Sequence, residues 1–500
     1  MPQDLYLAID IGTGSARAAL VDFSGRIRAI AAREYDQIVP QYGWSEQRPV
    51  DWWAGVVDSV RQLLARDSGL AARITAICAC GQMHGTVLLD KNGRLTRETA
   101  PLWNDKRTAG LVKAFEAAHG PADYLRQSAN PPTPAWPGFK LQWLRDADPA
   151  AYDAAGAVVM PKDYVNFRLT GEIAMDRTEA ACSFLMDPAD GTWSQHMCDL
   201  LGLDIGKLVT IRKPTDILGS VSRQAAAETG LPAGIPVLVG GGDFPVALLG
   251  SGVSRAGLCS DVTGTSAIIT VVAEAPLLDP EISNIGTVEG GWGGFVLLES
   301  GGDSMRWARR AFHEKALSYE EIVAKAAVAP AGAERLFFLP YLTGERFGAH
   351  RNSRAQFFGI TAEHGLAHLH RAVMEGVAFA VTRQLRIMEQ AAGRRLERVI
   401  ASGGGAKTPL WLKIKASAYN IPILVPEEAE CGVIGCAAIA ATATGRFAKA
   451  EEAAAAFVQY AGEILPDPKW AETYQRMQPV FNRLYQHAQA LYDDLDGLKD

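Results

Sequence analysis

The sequence Asp10-Ile11-Gly12-Thr13-Gly14-Ser15 near the start of the chain returns in similar form as Asp261-Val262-Thr263-Gly264-Thr265-Ser266, just past the middle. The first copy lies between two runs of apolar or small residues, 5–9 and 18–21, and the second is followed by the apolar run 267–272. This pattern predicts a strand, a tight turn and a second strand at both places. Small residues at a hairpin tip expose backbone N–H groups and hydroxyls, which can hold a phosphate. Two such tips predict two related domains that bind one polyphosphate together.

The length of the chain predicts more than one domain. Its 500 residues are too many for one hydrophobic core and indicate roughly two to four domains. Beyond the first strands, helix-like and strand-like segments alternate, including a long predicted helix over 366–390, so we expect an α/β fold. We place the hinge within 250–257, which gives a first domain of residues 1–250 and a second of residues 251–500.

Composition and charge exclude several classes of protein. The formal net charge is −7 and no long basic run occurs, which argues against binding to nucleic acid. No segment reaches the ~18 uninterrupted apolar residues of a transmembrane helix, so we expect no contact with a membrane. The chain enters a strand directly, without the pattern of a signal peptide. The seven cysteines form no C-x-x-C pair, which favours buried free thiols in the reducing cytoplasm over zinc or redox chemistry.

The first turn has residue types that bind phosphate and a divalent cation. Asp10 comes at the end of a predicted strand, where its carboxylate can hold Mg²⁺ directly or through water. Thr13, Ser15 and the turn amides can contact phosphate oxygens, and Arg17 can add positive charge. A plain tight hairpin is the alternative, and the second copy of the turn favours the phosphate interpretation. The turn is not a Walker A loop or a dinucleotide-binding fingerprint, because a strand and not a helix follows it.

Two glycine clusters follow predicted strands. Gly240-Gly241-Gly242 leads directly to Asp243, a carboxylate that can orient and deprotonate an acceptor hydroxyl in phosphoryl transfer. A turn with an Asx cap explains that cluster equally well. Gly403-Gly404-Gly405 gives a backbone without side chains that a flat ligand such as adenine can approach, although a plain strand-to-helix turn is the more economical interpretation.

Two further segments combine glycines or aromatic rings with polar side chains. Met83 and His84 stand between Gly81 and Gly85, and His84 can donate to or accept from sugar hydroxyls. The default alternative is a structural histidine whose ring is fully hydrogen-bonded. The segment 102–108 holds Trp103, Asn104 and Asp105, which suit a sugar site, although capping of the next helix explains part of it.

The chain resembles the FGGY family of carbohydrate kinases, and in particular its xylulokinase branch. The resemblance runs from Tyr6 to about Gly445, and the stretch 355–375 resembles the C-terminal signature of the family throughout. The N-terminal signature is matched only in part, at 137–144. The other matching segments are the turn 10–15, the segments 81–85, 102–108 and 339–346, and the cluster 240–243.

The resemblance implies a fold, cofactors and a set of site residues. It implies two actin-like ATPase (ribonuclease H-like) domains with the active site in the cleft between them, ATP and Mg²⁺ as cofactors and a small sugar as the other ligand. The first domain is implied to bind the sugar and the second the nucleotide, and a homodimer is left open. Asp243 is the implied catalytic base and Asp10 the implied Mg²⁺ ligand. The implied substrate-binding residues are Met83, His84, Trp103, Asp105 and Phe244. The implied phosphate-binding and nucleotide-binding residues are Thr13, Ser15, Arg17, Thr263, Gly264, Thr265, Gly359, Gly404, Gly405 and Thr408.

The chain departs from the family pattern at three positions. Phe244 stands where the family usually has Asn or Gln directly after the catalytic aspartate, and a phenyl ring has no conventional hydrogen-bonding group. Lys413 and Ser417 stand where Gln and Asp are more common, and the sequence offers no reason for either change.

The expected activity is ATP-dependent phosphorylation of the terminal hydroxyl of a ketopentose, with D-xylulose converted to D-xylulose 5-phosphate. A kinase for another ketose or polyol, such as ribulose, erythritol or glycerol, is the alternative that Phe244 supports. A more distant alternative is an actin-like ATPase that acts on a protein partner. The segment after about residue 450 is too short to supply the peptide-binding module which that activity requires.

Overall fold

The structure is a computed structural model that describes residues 4–67, 69–313, 316–345 and 351–498. The strands in chain order are β1 Leu5–Ile11, β2 Ser15–Asp22, β3 Ile27–Glu34, β4 Glu46–Gln47, β5 Ile74–Gly81, β6 Val87–Leu89, β7 Ala100–Pro101, β8 Ala157–Val159, β9 Met175–Asp176, β10 Ile211–Arg212, β11 Ile217–Ser220, β12 Pro236–Leu238, β13 Gly241–Gly242, β14 Leu258–Thr263, β15 Ala267–Ala273, β16 Ser283–Gly286, β17 Trp292–Leu298, β18 Phe337–Leu339, β19 Gln356–Phe358, β20 Arg398–Ser402, β21 Ile423–Pro426 and β22 Tyr460–Ile464.

The helices are of very different lengths, and the longest lie in the last third of the chain. In chain order they are α1 Pro49–Leu64, α2 Ala109–Ala118, α3 Pro121–Ser128, α4 Pro137–Ala147, α5 Pro149–Ala154, α6 Pro161–Thr170, α7 Arg177–Ala181, α8 Gln195–Leu201, α9 Arg223–Thr229, α10 Asp243–Gly250, α11 Gly302–His313, α12 Tyr319–Val328, α13 Leu366–Ala392, α14 Pro409–Tyr419, α15 Cys431–Ala443, α16 Ala450–Phe457 and α17 Pro468–Gly497. The long helix expected over 366–390 is confirmed as α13. Within the described ranges, none of these helices combines the length and the apolar character needed to cross a bilayer.

The chain forms two compact units, and neither of them is one continuous segment. The first unit consists of Met1–Arg255, Glu274–Gly293 and Glu430–Val458. The second consists of Ala256–Ala273, Gly294–Ala429 and Gln459–Asp500. The first crossing lies within the expected hinge, but two later segments return to the first unit. A single division into residues 1–250 and 251–500 therefore assigns the segments Glu274–Gly293 and Glu430–Val458 to the wrong unit.

The sheet of the first unit is built around the first predicted hairpin. Its strand order is β11-β12-β5-β1-β2-β3, with β13 also beside β5. Strands β1 and β2 pair antiparallel across the turn, and β1 pairs with β5 in parallel. The central strands β1 and β5 are almost wholly buried, since helices cover both faces, which explains their continuous apolar sequence. The strand–turn–strand prediction is confirmed here.

The sheet of the second unit repeats this arrangement. Its strand order includes β17-β15-β14-β20-β21-β22, in which β14 and β15 form the second predicted hairpin and β14 pairs in parallel with β20. In each sheet the hairpin is followed by two parallel neighbours and then an antiparallel edge strand. The edge strand β11 precedes its neighbour in the sequence, whereas β22 follows its neighbour. The repeated turn therefore marks a repeated fold.

Candidate active site

The first turn is held in place by polar side chains from the same unit. The carbonyl of Gly12 accepts a hydrogen bond from the hydroxyl of Tyr35 (2.6 Å), and the carbonyl of Thr13 accepts one from the amide of Gln47 (2.7 Å). Gly14 at the tip is exposed. Because donors of the protein already occupy these two carbonyls, the turn is fixed in position and a ligand would meet its N–H groups and hydroxyls.

Asp10 is the penultimate residue of β1, and its largely covered carboxylate has weak partners. Its oxygens accept a hydrogen bond from the thiol of Cys80 (3.6 Å) and lie 3.7 Å from Arg17, which also pairs with Glu430 at 3.0 Å. The side chain of Asp10 is only 17% exposed. Burial raises its pKa, although the charge of Arg17 opposes that shift. A carboxylate in this state can be stabilised further by a cation.

Asp243 follows a glycine run that passes close to its neighbours. A Cβ atom on Gly240 would lie 1.9 Å from the carbonyl oxygen of Ala79, and the φ of Gly240 is +68°. A Cβ atom on Gly242 would lie 2.8 Å from the sulfur of Met83. The glycines therefore let the chain run beside β5 and bring Asp243, the first residue of α10, to the edge where Met83 lies.

The protonation of Asp243 suits a general base near neutral pH. Burial, followed by the negative charge of Asp10, raises the pKa of Asp243 to about 7. Its Oδ1 accepts a hydrogen bond from the backbone N–H of Phe244 (2.7 Å), which favours the charged form and fixes the orientation of the carboxylate. Asp10 and Asp243 extend from the carboxyl ends of β1 and β13, on the two sides of β5.

His84 has an unusual backbone and a partly unsatisfied ring. Its φ is +66°, and its carbonyl accepts a hydrogen bond from the amine of Lys140 (2.7 Å). Burial and the charge of Lys140 hold the pKa of His84 well below its usual range, so the ring is neutral. Its Nδ1 is buried without a hydrogen-bond partner among the described residues, and its ring packs edge-on against Trp136. A fully hydrogen-bonded structural histidine does not describe this ring.

The two residues predicted in the 102–108 loop have different surroundings. Trp103 is 41% exposed, and its indole N–H donates to the hydroxyl of Thr13 (3.0 Å). Asp105 is 1% exposed, and its two oxygens accept from the backbone N–H of Ser45 and from the backbone and guanidinium of Arg107. Asp105 therefore has no oxygen left for a sugar hydroxyl. The prediction of Asp105 as a substrate contact is corrected to an anchor of the loop.

The second turn is also held through its carbonyls, but by backbone N–H groups instead of side chains. The carbonyls of Gly264 and Thr265 accept hydrogen bonds from the backbone N–H groups of Gly302 and Asp303, both at 2.9 Å, at the start of α11. A guanidinium nitrogen of Arg306 lies 3.4 Å from the hydroxyl of Thr265. The turn is therefore presented by the N-terminus of a helix, where partial positive charge favours an anion.

Asp261 differs from Asp10 although both lie near the end of the first strand of a hairpin. Lys415 donates to both oxygens of Asp261, at 2.8 and 3.0 Å, and Tyr419 donates at 2.8 Å. The hydroxyl of Thr263 donates to the same carboxylate at 2.6 Å. Because these donors occupy Asp261, it is not available to a metal ion. Lys415 is a residue that sequence reasoning missed, and its signal is a lysine within the apolar face of α14.

The glycine cluster 403–405 lies against the second turn. Cβ atoms on Gly403 and Gly405 would lie 2.7 and 2.8 Å from atoms of Thr263, whereas a Cβ on Gly404 would meet nothing within 4 Å. The cluster leads through Thr408 into α14, and the side chain of Thr408 makes no capping hydrogen bond. The interpretation as a strand-to-helix turn is confirmed, and Gly404 within this turn is exposed. Gly359 lies on another segment, after β19, with φ +92°.

The structure explains the two departures at positions 413 and 417. Lys413 pairs with the carboxylate of Asp467 at 2.9 Å and lies over the ring of Trp470. The hydroxyl of Ser417 donates to the carbonyl of Lys413 (2.8 Å) and accepts from the backbone N–H of Asp467 (3.0 Å). Since Asp467 is the N-cap of α17, both residues attach that helix to α14.

Comparison with known proteins agrees with this geometry. Residues 5–250 match the N-terminal domain and residues 260–444 the C-terminal domain of the FGGY family of carbohydrate kinases. The chain is similar to the xylulose kinase of Bacillus subtilis (strain 168), at 30% identity over 503 residues and 99% of both chains. It is also similar to the autoinducer-2 kinase of Yersinia pseudotuberculosis serotype O:3 (strain YPIII), at 29% identity over 99% of this chain and 96% of that protein. The crystal structure of xylulose kinase from Rhodospirillum rubrum superposes with a TM-score of 0.91 at 28% identity, over 98% of this chain and 100% of that chain.

Proposed function

Because this chain belongs to the FGGY family of carbohydrate kinases, we propose that it transfers the γ-phosphoryl group of ATP to the terminal hydroxyl of a ketopentose, D-xylulose, and yields D-xylulose 5-phosphate. Relatives named xylulose kinase that align over the whole chain support this substrate. The proposed ligands are small molecules, and the seven free cysteines are consistent with the reducing cytoplasm as the place of action.

The observation that carries the proposal is the position and state of Asp243. It stands at the carboxyl edge of a sheet, beside Met83 and near a second buried carboxylate, Asp10. With a pKa of about 7 it is ready to accept a proton near neutral pH. A carboxylate in such a position is what a kinase needs to orient an acceptor hydroxyl.

The proposed reaction assigns a step to Asp243. It accepts the proton of the terminal hydroxyl while that oxygen forms a bond to the γ-phosphorus. The bond between the γ-phosphorus and the bridging oxygen of ADP breaks, and the negative charge passes to ADP. The sugar would lie against Met83, the neutral ring of His84 and the exposed indole of Trp103, which offer apolar surface and one unpaired ring nitrogen. Phe244 would border the same ligand.

The residues present fit a Mg²⁺ ion that shares its coordination with phosphate. Asp10 and Asp243 are two carboxylates whose pKa values are raised by burial, and a nearby dication would stabilise their charged forms. The described part of the chain holds no group of three or more His, Cys, Asp or Glu side chains able to bind a metal on its own. This agrees with Mg²⁺, which is commonly held by one or two carboxylates, water and substrate phosphates. Asp10 would hold the ion, which would neutralise charge on the phosphates.

We propose phosphate contacts for small residues of each repeated turn, taken unit by unit. Thr13 and Ser15, with Arg17, would contact phosphate oxygens in the first unit. Gly264 and Thr265 would do so in the second unit, where the start of α11 adds favourable partial charge, and Thr263 would support that turn through its hydrogen bond to Asp261. Gly404, Gly405 and Thr408, together with Gly359, would border the base and ribose.

A kinase for another ketose or polyol is the second candidate, and Phe244 is the residue that favours it. A hydrocarbon side chain beside the base removes the hydrogen bond that Asn or Gln would give to a substrate hydroxyl. The chain is nearly as similar to a relative named autoinducer-2 kinase, at 29% identity, as to one named xylulose kinase, at 30% identity. Similarity of this degree therefore does not fix the substrate.

A substrate panel tests the proposal. ADP formation is measured with D-xylulose, D-ribulose, erythritol, glycerol and no sugar, each with ATP and MgCl₂. The highest kcat/KM with D-xylulose is the expected result. A clear preference for another acceptor would replace the substrate but keep the kinase, and no stimulation by any acceptor would contradict the kinase assignment for this panel.

A further inference from the structure

The glycine run before Asp243 is held at both of its ends by buried side chains. At its start, the carbonyl of Val239 accepts hydrogen bonds from the amine of Lys162 (3.0 Å) and the amide of Asn166 (2.9 Å). At its end, the backbone N–H of Gly242 donates to the hydroxyl oxygen of Thr178 (2.9 Å). Gly242 directly precedes Asp243, so this last contact fixes the peptide from which the carboxylate extends.

Asp176 determines how the hydroxyl of Thr178 is oriented. Its carboxylate oxygen Oδ1 accepts the Thr178 hydroxyl proton and the backbone N–H of Thr178 (2.7 Å). Since the hydroxyl proton is committed to Asp176, the oxygen of Thr178 can only accept from Gly242. Lys162 in turn lies 2.9 Å from the other oxygen of Asp176, which balances its charge. Thr178, Asp176 and Lys162 are all 0% exposed.

We propose that Thr178 is a positioning residue for the reaction, because its oxygen holds the peptide of Gly242 and thereby the carboxylate of Asp243. Thr178 does not touch the acceptor or the nucleotide in this role. The proposal rests on the proposed function for its kinetic consequence, whereas the contact between Thr178 and Gly242 is independent of the substrate. Gly240 and Gly241 precede the contact, and a run without side chains is restrained only through its backbone, here by the pairing of β13 with β5 and by Thr178.

The chain offers a close pair of variants. Thr178→Val keeps the shape of the side chain but removes the acceptor, and Thr178→Ser keeps the hydroxyl but removes the methyl group. In Thr178→Val we expect kcat to fall about 10- to 100-fold, since a small displacement of a reacting group is costly. The KM for ATP should change by less than about threefold, because the nucleotide contacts are elsewhere. Thr178→Ser should keep kcat near that of the parent protein.

Amide hydrogen exchange of the peptide that contains Gly242 provides a readout without turnover. Its exchange should be about tenfold faster in Thr178→Val than in Thr178→Ser, as expected for the loss of one buried hydrogen bond. This measurement tests the hydrogen bond between Gly242 and Thr178 even if D-xylulose is not the substrate. In that case the substrate panel described above identifies the acceptor to use for measuring kcat.

Two results would overturn the proposal. One is a kcat in Thr178→Val within about twofold of the parent protein. The other is equal impairment in the valine and serine variants, which would assign the effect to packing of the methyl group. If Thr178→Val loses its cooperative melting transition, Thr178→Ala is judged by the same criteria.

Discussion

The amine of Lys415 lies 2.8 and 3.0 Å from the two carboxylate oxygens of Asp261, within the core of the second unit. Asp10, near the end of the corresponding strand of the first unit, has Arg17 as its cation at 3.7 Å. The repeated turn therefore carries two different acids. One forms a close buried ion pair, and the other has only a distant cation within the protein.

This difference predicts opposite results for the same substitution at the two positions. Asp261→Asn leaves the charge of Lys415 buried and unpaired, so the free energy of unfolding should fall by about 3–5 kcal/mol. Asp10→Asn should change the free energy of unfolding by less than about 1 kcal/mol and should lose nearly all turnover. Urea titration and ADP formation measure both variants. Loss of stability in Asp10→Asn, with Asp261→Asn unaffected, would contradict the assignment.

Replacing Asp243 should separate binding from chemistry. We expect Asp243→Ala to bind ATP nearly as well as the parent protein and to lose about 10²- to 10⁴-fold in kcat, the usual contribution of a general base. Calorimetric titration with ATP and an assay of sugar phosphorylation test the two statements. Asp190→Ala, in an exposed loop, is the matched control. Turnover close to normal in Asp243→Ala would remove its role as the base.

The pKa of Asp243 predicts the dependence of activity on pH. Burial and the charge of Asp10 raise this pKa to about 7, and only the deprotonated carboxylate can accept a proton. The value of kcat/KM for the sugar should therefore fall about tenfold per pH unit below pH ~7 and level off above it. Initial rates at low sugar and low Mg·ATP, which report the protein before the cation binds, test this. A flat profile through this range would show that Asp243 does not titrate there.

Lys140 predicts how stability depends on pH. Burial lowers the pKa of Lys140 to about 7 from its ordinary value of 10.5. Between these values the unfolded chain binds a proton that the folded chain does not, so this group makes the protein more stable as pH rises. The difference in unfolding free energy between the parent protein and Lys140→Met should grow by about 1.4 kcal/mol per pH unit in this window.

Urea titrations at several pH values measure this difference. Lys113→Met replaces an exposed lysine and should show no comparable dependence on pH. A difference for Lys140→Met that stays constant, or that shrinks as pH rises, would show that Lys140 keeps its proton in the folded protein.

Phe244 is expected to influence which sugar is preferred. Phe244→Asn restores a hydrogen-bonding group beside the base, and one such bond is worth about 1 kcal/mol, or roughly fivefold in kcat/KM. The ratio of kcat/KM between D-xylulose and the other acceptors should shift by that amount. Phe244→Leu removes the ring without adding a polar group and should not reproduce the shift. Equal ratios in both variants would remove Phe244 from the substrate site.

Features that depend on neighbouring residues could be predicted from the sequence. The two hairpins and the glycine run before Asp243 follow from local periodicity and from small residues at turns. The sequence could not show that the carboxylate of Asp105 is hydrogen-bonded to Ser45 and Arg107, because those contacts depend on how the loop folds back.

Contacts between residues that lie far apart along the chain could not be predicted from the sequence. The pairing of Asp261 with Lys415 joins residues 154 positions apart, and the contact of Gly242 with Thr178 joins residues 64 apart. For the same reason, the return of Glu430–Val458 to the first unit carries no local signal. Pattern and resemblance gave the elements and the family, whereas the roles of buried polar side chains needed the tertiary structure.

The late segment of the first unit has a consequence for synthesis of the chain. Apolar residues of α15 and α16 cover a face of the first sheet that includes Tyr6, Ala8 and Val21. A ribosome must therefore release residue 458 before the first unit can complete its core. Much of the second unit is therefore synthesised while that apolar face is still exposed to water, a condition that favours aggregation of a nascent chain.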